Sequence, residues 1–255
     1  MAKQRIIVIT GASGGLAQAL VKRLPSTDGL VLVGRDKDQL EHIYRHVENK
    51  LCLALDITND KAVEELVNEV FQRYGHIDVF INNAGYGEFK AYEDYSTAAI
   101  REMFEVNTFA TMAFSRLVGQ KMVQQGHGHI INIASMAGKI ATANASVYAA
   151  SKFAVIGFSD ALRLELAPHG VYLTTVNPGP IATSFFDKAD PSGAYLDSVK
   201  QFVLKPEQVA RKLVKIIGKN KRELNLPWLL ALAHKAYTLF PRLADYLART
   251  TFNYK

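Results

Sequence analysis

Tyr148 and Lys152 stand four positions apart, and Ser135 lies thirteen residues before the tyrosine. These three residue types can together move a proton at a carbonyl oxygen. On a helix, positions i and i+4 share one face about one turn apart, so the phenol and the ammonium would project together. A phenol with an ordinary pKa near ~10 is a poor acid–base at neutral pH. A neighbouring ammonium favours the phenolate, so the Tyr148 pKa is expected to be drawn down toward the working range. Ser135 closes the run His129-Ile-Ile-Asn-Ile-Ala-Ser, which reads as a buried strand ending in a polar residue. A hydroxyl at the carboxyl end of a strand is placed to hydrogen-bond a substrate oxygen.

Spacing alone does not select this pair. Tyr86 and Lys90 repeat it in Tyr-Gly-Glu-Phe-Lys, with Gly87 inside and Arg73, not serine, thirteen residues upstream. The choice must come from the elements that carry each pair. Short apolar runs at Arg5–Thr10, Leu30–Val33, Leu51–Leu55, Val79–Asn82, His129–Ala134, Tyr172–Asn177 and Arg222–Leu226 read as strands. Helix-like stretches begin near Gly14, Asp36, Asp60, Thr97, Val147 and Pro206. Runs such as Ile-Ile-Val-Ile are apolar on both faces, as parallel strands covered by helices on each side must be. Repeated alternation of this kind gives an α/β doubly wound parallel sheet of about seven strands, with ligands at the strands' carboxyl ends.

The first strand runs into Thr10-Gly11-Ala12-Ser13-Gly14-Gly15-Leu16-Ala17, and a helix expected to reach Leu24 follows. Glycines there let backbone approach a ligand closely, and free N–H groups at a helix start attract a pyrophosphate. The second strand ends Val33-Gly34-Arg35. An acidic residue near this point holds a ribose 2′-hydroxyl, whereas arginine suits a 2′-phosphate. Arg35 therefore favours NADP(H), with NAD(H) the alternative should Asp36 turn inward.

The chain has 255 residues, 49% hydrophobic and 21% charged, with one cysteine. That composition is globular, and a lone Cys52 forms no intrachain disulfide, which points to a reducing, cytoplasmic setting. The net charge of +6 is modest, and no interleaving of arginine with aromatics argues for nucleic acid. No metal site is expected.

Further motifs fall in order along the same alternation: Asn82-Asn83-Ala84-Gly85, Asn107, Ser135, Tyr148-Ala-Ala-Ser-Lys152 and Pro178-Gly179-Pro180-Ile181-Ala182-Thr183. With the Thr10–Ala17 loop, these resemble the short-chain dehydrogenase/reductase family over residues 5 to about 226. The resemblance implies a Rossmann-type catalytic domain at 1–226, with 227–255 a helical C-terminal extension of the same domain. It implies that Tyr148 protonates the nascent alkoxide, Lys152 lowers the tyrosine pKa and holds the nicotinamide ribose, and Ser135 orients the carbonyl. Asn107 would bind a relaying water. Gly11, Ser13, Gly14, Gly15 and Leu16 would cradle the pyrophosphate, and Asp56 and Ile57 would meet the adenine. Asn83, Ala84 and Gly85 would floor the adenine ribose, and Pro178, Gly179, Ile181 and Thr183 would flank the nicotinamide. The family pattern carries glycine where this chain has Ala17. A methyl there is expected to be tolerated, with a small outward push on the helix.

Substrate choice is expected from Tyr86–Ser96, Met136–Val147 and Ile181–Leu204, the last a loop-rich lid. Their few charges favour a small hydrophobic carbonyl or alcohol. The reading is an NADPH-dependent carbonyl reductase; a 3-oxoacyl thioester reductase and a non-catalytic dinucleotide sensor are the alternatives. A homodimer, or else a tetramer, would form through the helices Thr97–Gln125 and Val147–His169. Beyond Pro227, apolar positions step by three or four and break at Pro241. Packing on the domain or on a partner copy is the first expectation for this tail. An in-plane membrane contact carried by Trp228, Tyr237, Phe240 and flanking basic residues is the second.

Overall fold

The computed structural model describes residues 4–242 and Tyr246. The apolar runs form β1 (Ile6–Thr10), β2 (Gly29–Gly34), β3 (Lys50–Ala54), β4 (Val79–Asn82), β5 (Gly128–Ile133), β6 (Val171–Pro178) and β7 (Glu223–Leu226). They make one sheet in the order β3-β2-β1-β4-β5-β6-β7. Every neighbouring pair is parallel. The order reverses between β1 and β4, which opens a crevice at their carboxyl ends.

In chain order the helices are α1 (Gly15–Val21), α2 (Lys37–Ile43), α3 (Asp60–Tyr74), α4 (Thr97–Phe104), α5 (Ala110–Gln125) and α6 (Ser146–Leu166). Then come α7 (Phe185–Ala189), α8 (Ala194–Ser198), α9 (Pro206–Val214) and α10 (Trp228–Leu239). Side-chain caps set several starts: Asp36 accepts from the Gln39 N–H, Asn59 from Ala62 and Ser96 from Ala99. Left-handed Gly75 and Gly126 end α3 and α5.

Alternate residues of each strand feed two cores. Ile7, Ile9, Leu30 and Leu32 pack with α1, Leu40 of α2 and α9 on one face. Ile6, Val8, Val31 and Val33 pack with α3, α5 and Leu166 of α6 on the other. Ala17 is buried in the first core, where its methyl is simply part of the packing.

Three details differ from the sequence expectations. Helix α1 ends at Val21 rather than Leu24. The stretch Thr97–Gln125 is not one uniform helix, because Glu105–Phe109 forms a π turn between α4 and α5. The lid segment holds two short helices, α7 and α8, pinned by the Phe89 N–H donating to Ala189 O at 2.8 Å. In the tail, α10 stops before Pro241 as expected, while Leu243 and Leu247 lie outside the described residues.

Candidate active site

The catalytic candidates come from three elements that meet at one end of the sheet. Ser135 follows β5, Tyr148 and Lys152 lie on α6, and Asn107 sits in the π turn. Tyr86, the tyrosine of the competing pair, lies instead in the loop after β4, and Lys90 pairs with Glu88 at 2.9 Å. The i, i+4 face therefore exists only for Tyr148 and Lys152.

Ser135 accepts from the Ala137 N–H at 3.0 Å and reaches toward Pro178 O at 3.5 Å, which fixes its hydroxyl between β5 and β6. The Lys152 Nζ donates to Ile133 O at 3.2 Å and lies 5.8 Å from the centre of the Tyr148 ring. Asn107 is fully buried. Its amide oxygen accepts from the Tyr86 N–H at 3.0 Å, while its nitrogen donates to Tyr86 O at 2.8 Å and Ser151 Oγ at 3.1 Å. A π turn is a common device for re-aiming a helix residue at a functional site. Here it lets one side chain clamp the loop after β4 onto α6. Gly85 sits in the clamp: a Cβ would stand 3.0 Å from Asn107 Oδ1 and 3.3 Å from Lys152 Nζ.

Burial dominates the electrostatics. The Tyr148 phenol is pushed up to about 12 by desolvation, which hydrogen bonding with Ser135 only partly opposes. Lys152 is pulled down to about 8, also by burial. The expectation that the ammonium draws the phenol down is thus reversed in the chain by itself. The phenol is held in its protonated form at neutral pH, as a proton donor must be.

The glycine loop lies against the turn after β4. Gly11 has φ +61°, and a Cβ on it would come within 2.7 Å of Ala84 Cα, so no other residue fits without moving backbone. Asn83 stitches the two together, donating to Thr10 O and Gly11 O, and Thr10 Oγ1 accepts from the Asn83 and Ala84 N–H groups. A single cleft of about 1380 Å³ runs from this loop across the catalytic candidates. Its walls include Gly11, Ser13, Gly14, Gly15, Leu16, Arg35, Asp56, Ile57, Asn83, Ala84 and Gly85, and at the other end Pro178, Gly179, Ile181 and Thr183. Every residue named from the sequence for catalysis or cofactor binding except Asn107 lines it directly, and Asn107 supports it from behind; of the segment Tyr86–Ser96 only Tyr86 and Phe89 reach it. Asp36 does not turn inward, being engaged as the cap of α2. Asp56 accepts from the Thr58 N–H and hydroxyl, which, with Arg35 nearby, hold its carboxyl below the usual range.

The far half of the cleft is aromatic. Phe89 packs on Tyr195 at 4.4 Å between centroids and edge-on to Tyr148 at 5.6 Å, and Phe185 lies 5.9 Å from Tyr148. Phe202, within the expected Ile181–Leu204 segment, completes this wall together with residues that sequence reasoning did not place there: Leu230, Ala233, Ala236 and Tyr237 of α10 and Phe240 just after it. The sequence marked a helix here through the stepping of Leu229, Leu232, Ala236 and Leu239, but which face meets the cleft depends on where β7 ends. The Thr142 hydroxyl, also on the cleft, is buried without a partner among the described residues.

The short-chain dehydrogenase model matches residues 5–192. The chain belongs to the short-chain dehydrogenase family. Within that family it is 31% identical over 254 residues to dehydrogenase/reductase SDR family member 7B of Xenopus laevis, covering 93% of this chain and 79% of that protein. An uncharacterized oxidoreductase of Staphylococcus epidermidis is 31% identical over 190 residues, covering 74% and 83% of the two chains. Among solved structures, a short-chain dehydrogenase from Streptomyces avermitilis superposes with a TM-score of 0.84 at 23% identity, covering 99% and 98%. ElxO with NADP bound gives 0.79 at 23% identity, covering 88% and 97%. The structural likenesses establish the fold, and the family membership makes the chain an oxidoreductase.

Proposed function

We propose that the protein is an NADPH-dependent reductase of hydrophobic aldehydes and ketones. The observation that carries this is the convergence of Ser135, Tyr148 and Lys152 at the middle of one cleft, between a glycine-lined half and an aromatic half. The glycine-lined half fits a nicotinamide dinucleotide: Gly11 keeps the loop free of side chains where it closes on Ala84, and Arg35 stands at the rim with no carboxylate competing from Asp36. The NADP bound to ElxO accords with this choice.

Bound NADPH would supply the hydride. The chain's own residues then handle the carbonyl and the proton. The Ser135 hydroxyl donates to the carbonyl oxygen and orients it. The Tyr148 phenol, kept protonated by burial, gives its proton to that oxygen as negative charge develops there. The Lys152 ammonium, its own proton loosened by burial, stabilises the phenolate left behind and is the nearest source for reprotonation. Asn107 holds Gly85 and Tyr86 in place beside Lys152 and carries the path onward to solvent. Oligomerisation through the outer faces of α5 and α6 is part of the same proposal; Phe153 and Leu164 are exposed on α6, and Phe109 in the π turn just before α5.

A panel of aldehydes and ketones with NADPH and NADH tests the reading. Reduction of apolar carbonyls with NADPH is expected, and Tyr148→Phe should slow it by at least about 10²-fold, the usual worth of a general acid. Equal rates in wild type and Tyr148→Phe would remove the assignment. A panel answered only by 3-oxoacyl thioesters would replace the substrate class.

A further inference from the structure

Helix α10 is apolar on two faces and buries neither. Its inner stripe, Leu230, Ala233 and Tyr237, lines the aromatic half of the cleft. Its outer stripe steps through Trp228, Leu232, Lys235 and Leu239, with Trp228 70% and Leu239 72% exposed. A helix on a water-facing surface ordinarily turns a polar face outward. Here the outward face carries one charge, Lys235, and Arg242 follows in the next turn; no acidic residue occurs between Pro227 and Arg242. The helix is tied to the loop after Ser135 by His234 Nδ1, 2.9 Å from Lys139 O.

We propose that α10 lies in the headgroup–acyl boundary of an anionic bilayer, outer stripe inward to the lipid, and that the cleft beside it takes a long-chain carbonyl lipid from that bilayer. This rests on the carbonyl-reductase reading and names its substrate class. Twelve residues make a helix of about 18 Å, short of the ~30 Å hydrocarbon core. No described helix is long and apolar enough to cross a membrane. An in-plane position is what remains for a short helix with an apolar face. Charge selects the occupant. A second copy docked through this stripe about a twofold axis would set Lys235 against the stripe that carries its own counterpart, like charge toward like charge in a drying interface. A bilayer instead lets the Lys235 stem run along the apolar surface while its ammonium reaches acidic headgroups, and Arg242 adds a second such contact. The basic residues Lys219, Lys221 and Arg222 play no part, because they precede β7 and so lie at the opposite end of that strand from α10. With the outer face in lipid, the inner stripe forms one wall of an apolar path from acyl chains to Tyr148.

Trp228 is the chain's single tryptophan, so its emission reports on this stripe alone. The full chain is mixed with phosphatidylcholine vesicles, with and without phosphatidylglycerol. The expected result is co-flotation with a blue shift of Trp228 emission. Binding should be roughly tenfold or more tighter when phosphatidylglycerol is present, and weaker at high salt, as two cations near a charged surface require. The variant Leu232→Glu/Leu239→Glu should lose flotation and shift. It should keep wild-type turnover of a short soluble aldehyde, and lose turnover of a long-chain ketone offered in vesicles. Wild type that reduces soluble aldehydes but neither floats nor shifts overturns the membrane inference and leaves the reductase reading intact. A blue shift that grows with protein concentration in the absence of vesicles also overturns it, since a second copy then covers the stripe. Flotation by a chain that reduces no carbonyl leaves the bilayer contact standing and overturns the substrate assignment together with the reductase reading.

Discussion

The Lys139 ammonium lies 3.0 Å from a Glu223 carboxylate oxygen, joining the loop that follows Ser135 to the edge strand β7. Lys139 is buried, and burial raises the Glu223 pKa. The Asn225 amide, which donates to the same carboxylate at 2.9 Å, and Lys139 itself outweigh burial and hold Glu223 below the usual carboxylate range. Removing one member strands the other: Glu223→Ala should cost about 3 kcal/mol by denaturant unfolding. It should also raise KM for carbonyls more than it lowers kcat, since the tethered loop lines the substrate half. The double variant Lys139→Met/Glu223→Leu should recover most of the stability. A double variant no more stable than Glu223→Ala would show that the pair is not what anchors the loop.

Lys152 should write a limb into the pH profile. In the proposed mechanism reduction needs its ammonium, and burial pulls its pKa down to about 8. The rate should therefore be flat below that pH and fall toward tenfold per unit above it. Arginine stays protonated throughout, so Lys152→Arg should move the limb away even though the rate drops overall. Initial rates between pH 6 and 10 decide this; a limb left in place belongs to another group.

Arg35 should set the cofactor preference. Charge-assisted hydrogen bonds to a phosphate are worth about 1.5–3 kcal/mol. Arg35→Ala is expected to weaken NADPH by roughly 10- to 100-fold and to leave NADH within about threefold. Titration of both dinucleotides by fluorescence checks it, and equal losses would place Arg35 outside the phosphate contact.

His129 should make the fold acid-sensitive. It is buried in β5, accepts from the Gly218 N–H at 3.1 Å and lies 2.9 Å from Thr174 Oγ1; burial lowers its pKa to about 4. The unfolded chain takes up this proton near pH ~6.5 and the folded chain does so only near about 4. Stability is thus complete above pH ~6.5 and declines as pH falls through that window, by about 3 kcal/mol in all. His129→Gln should flatten this part of the slope in melts from pH 7 to 4. An unchanged slope would assign it to carboxylates.

The strands were legible because a residue run apolar on both faces has few other uses: each falls within two residues of its sequence bounds. Tyr148 and Lys152 were legible by their place after β5, where Tyr86 and Lys90 could not form a helix face. The π turn was not legible. A shift from i+4 to i+5 bonding leaves no compositional trace, although a buried asparagine inside a long helix was a sign that something there departed from regularity. The direction of the Tyr148 shift was also out of reach. Spacing names the neighbouring ammonium, but only three-dimensional packing reveals how little water reaches the phenol.

Strand β7 also has a bearing on how the protein is made. Every strand of the sheet joins a parallel neighbour, so each addition waits for a crossover to be synthesised first. Glu223 sits on the strand that joins last. A nascent chain that has emerged through β6 already holds Asn107, Ser135, Tyr148 and Lys152, yet Lys139 has nothing to close upon. Until residues 179–226 have been translated, about 2–10 s at ordinary elongation rates, the loop that carries Lys139 lacks its anchor.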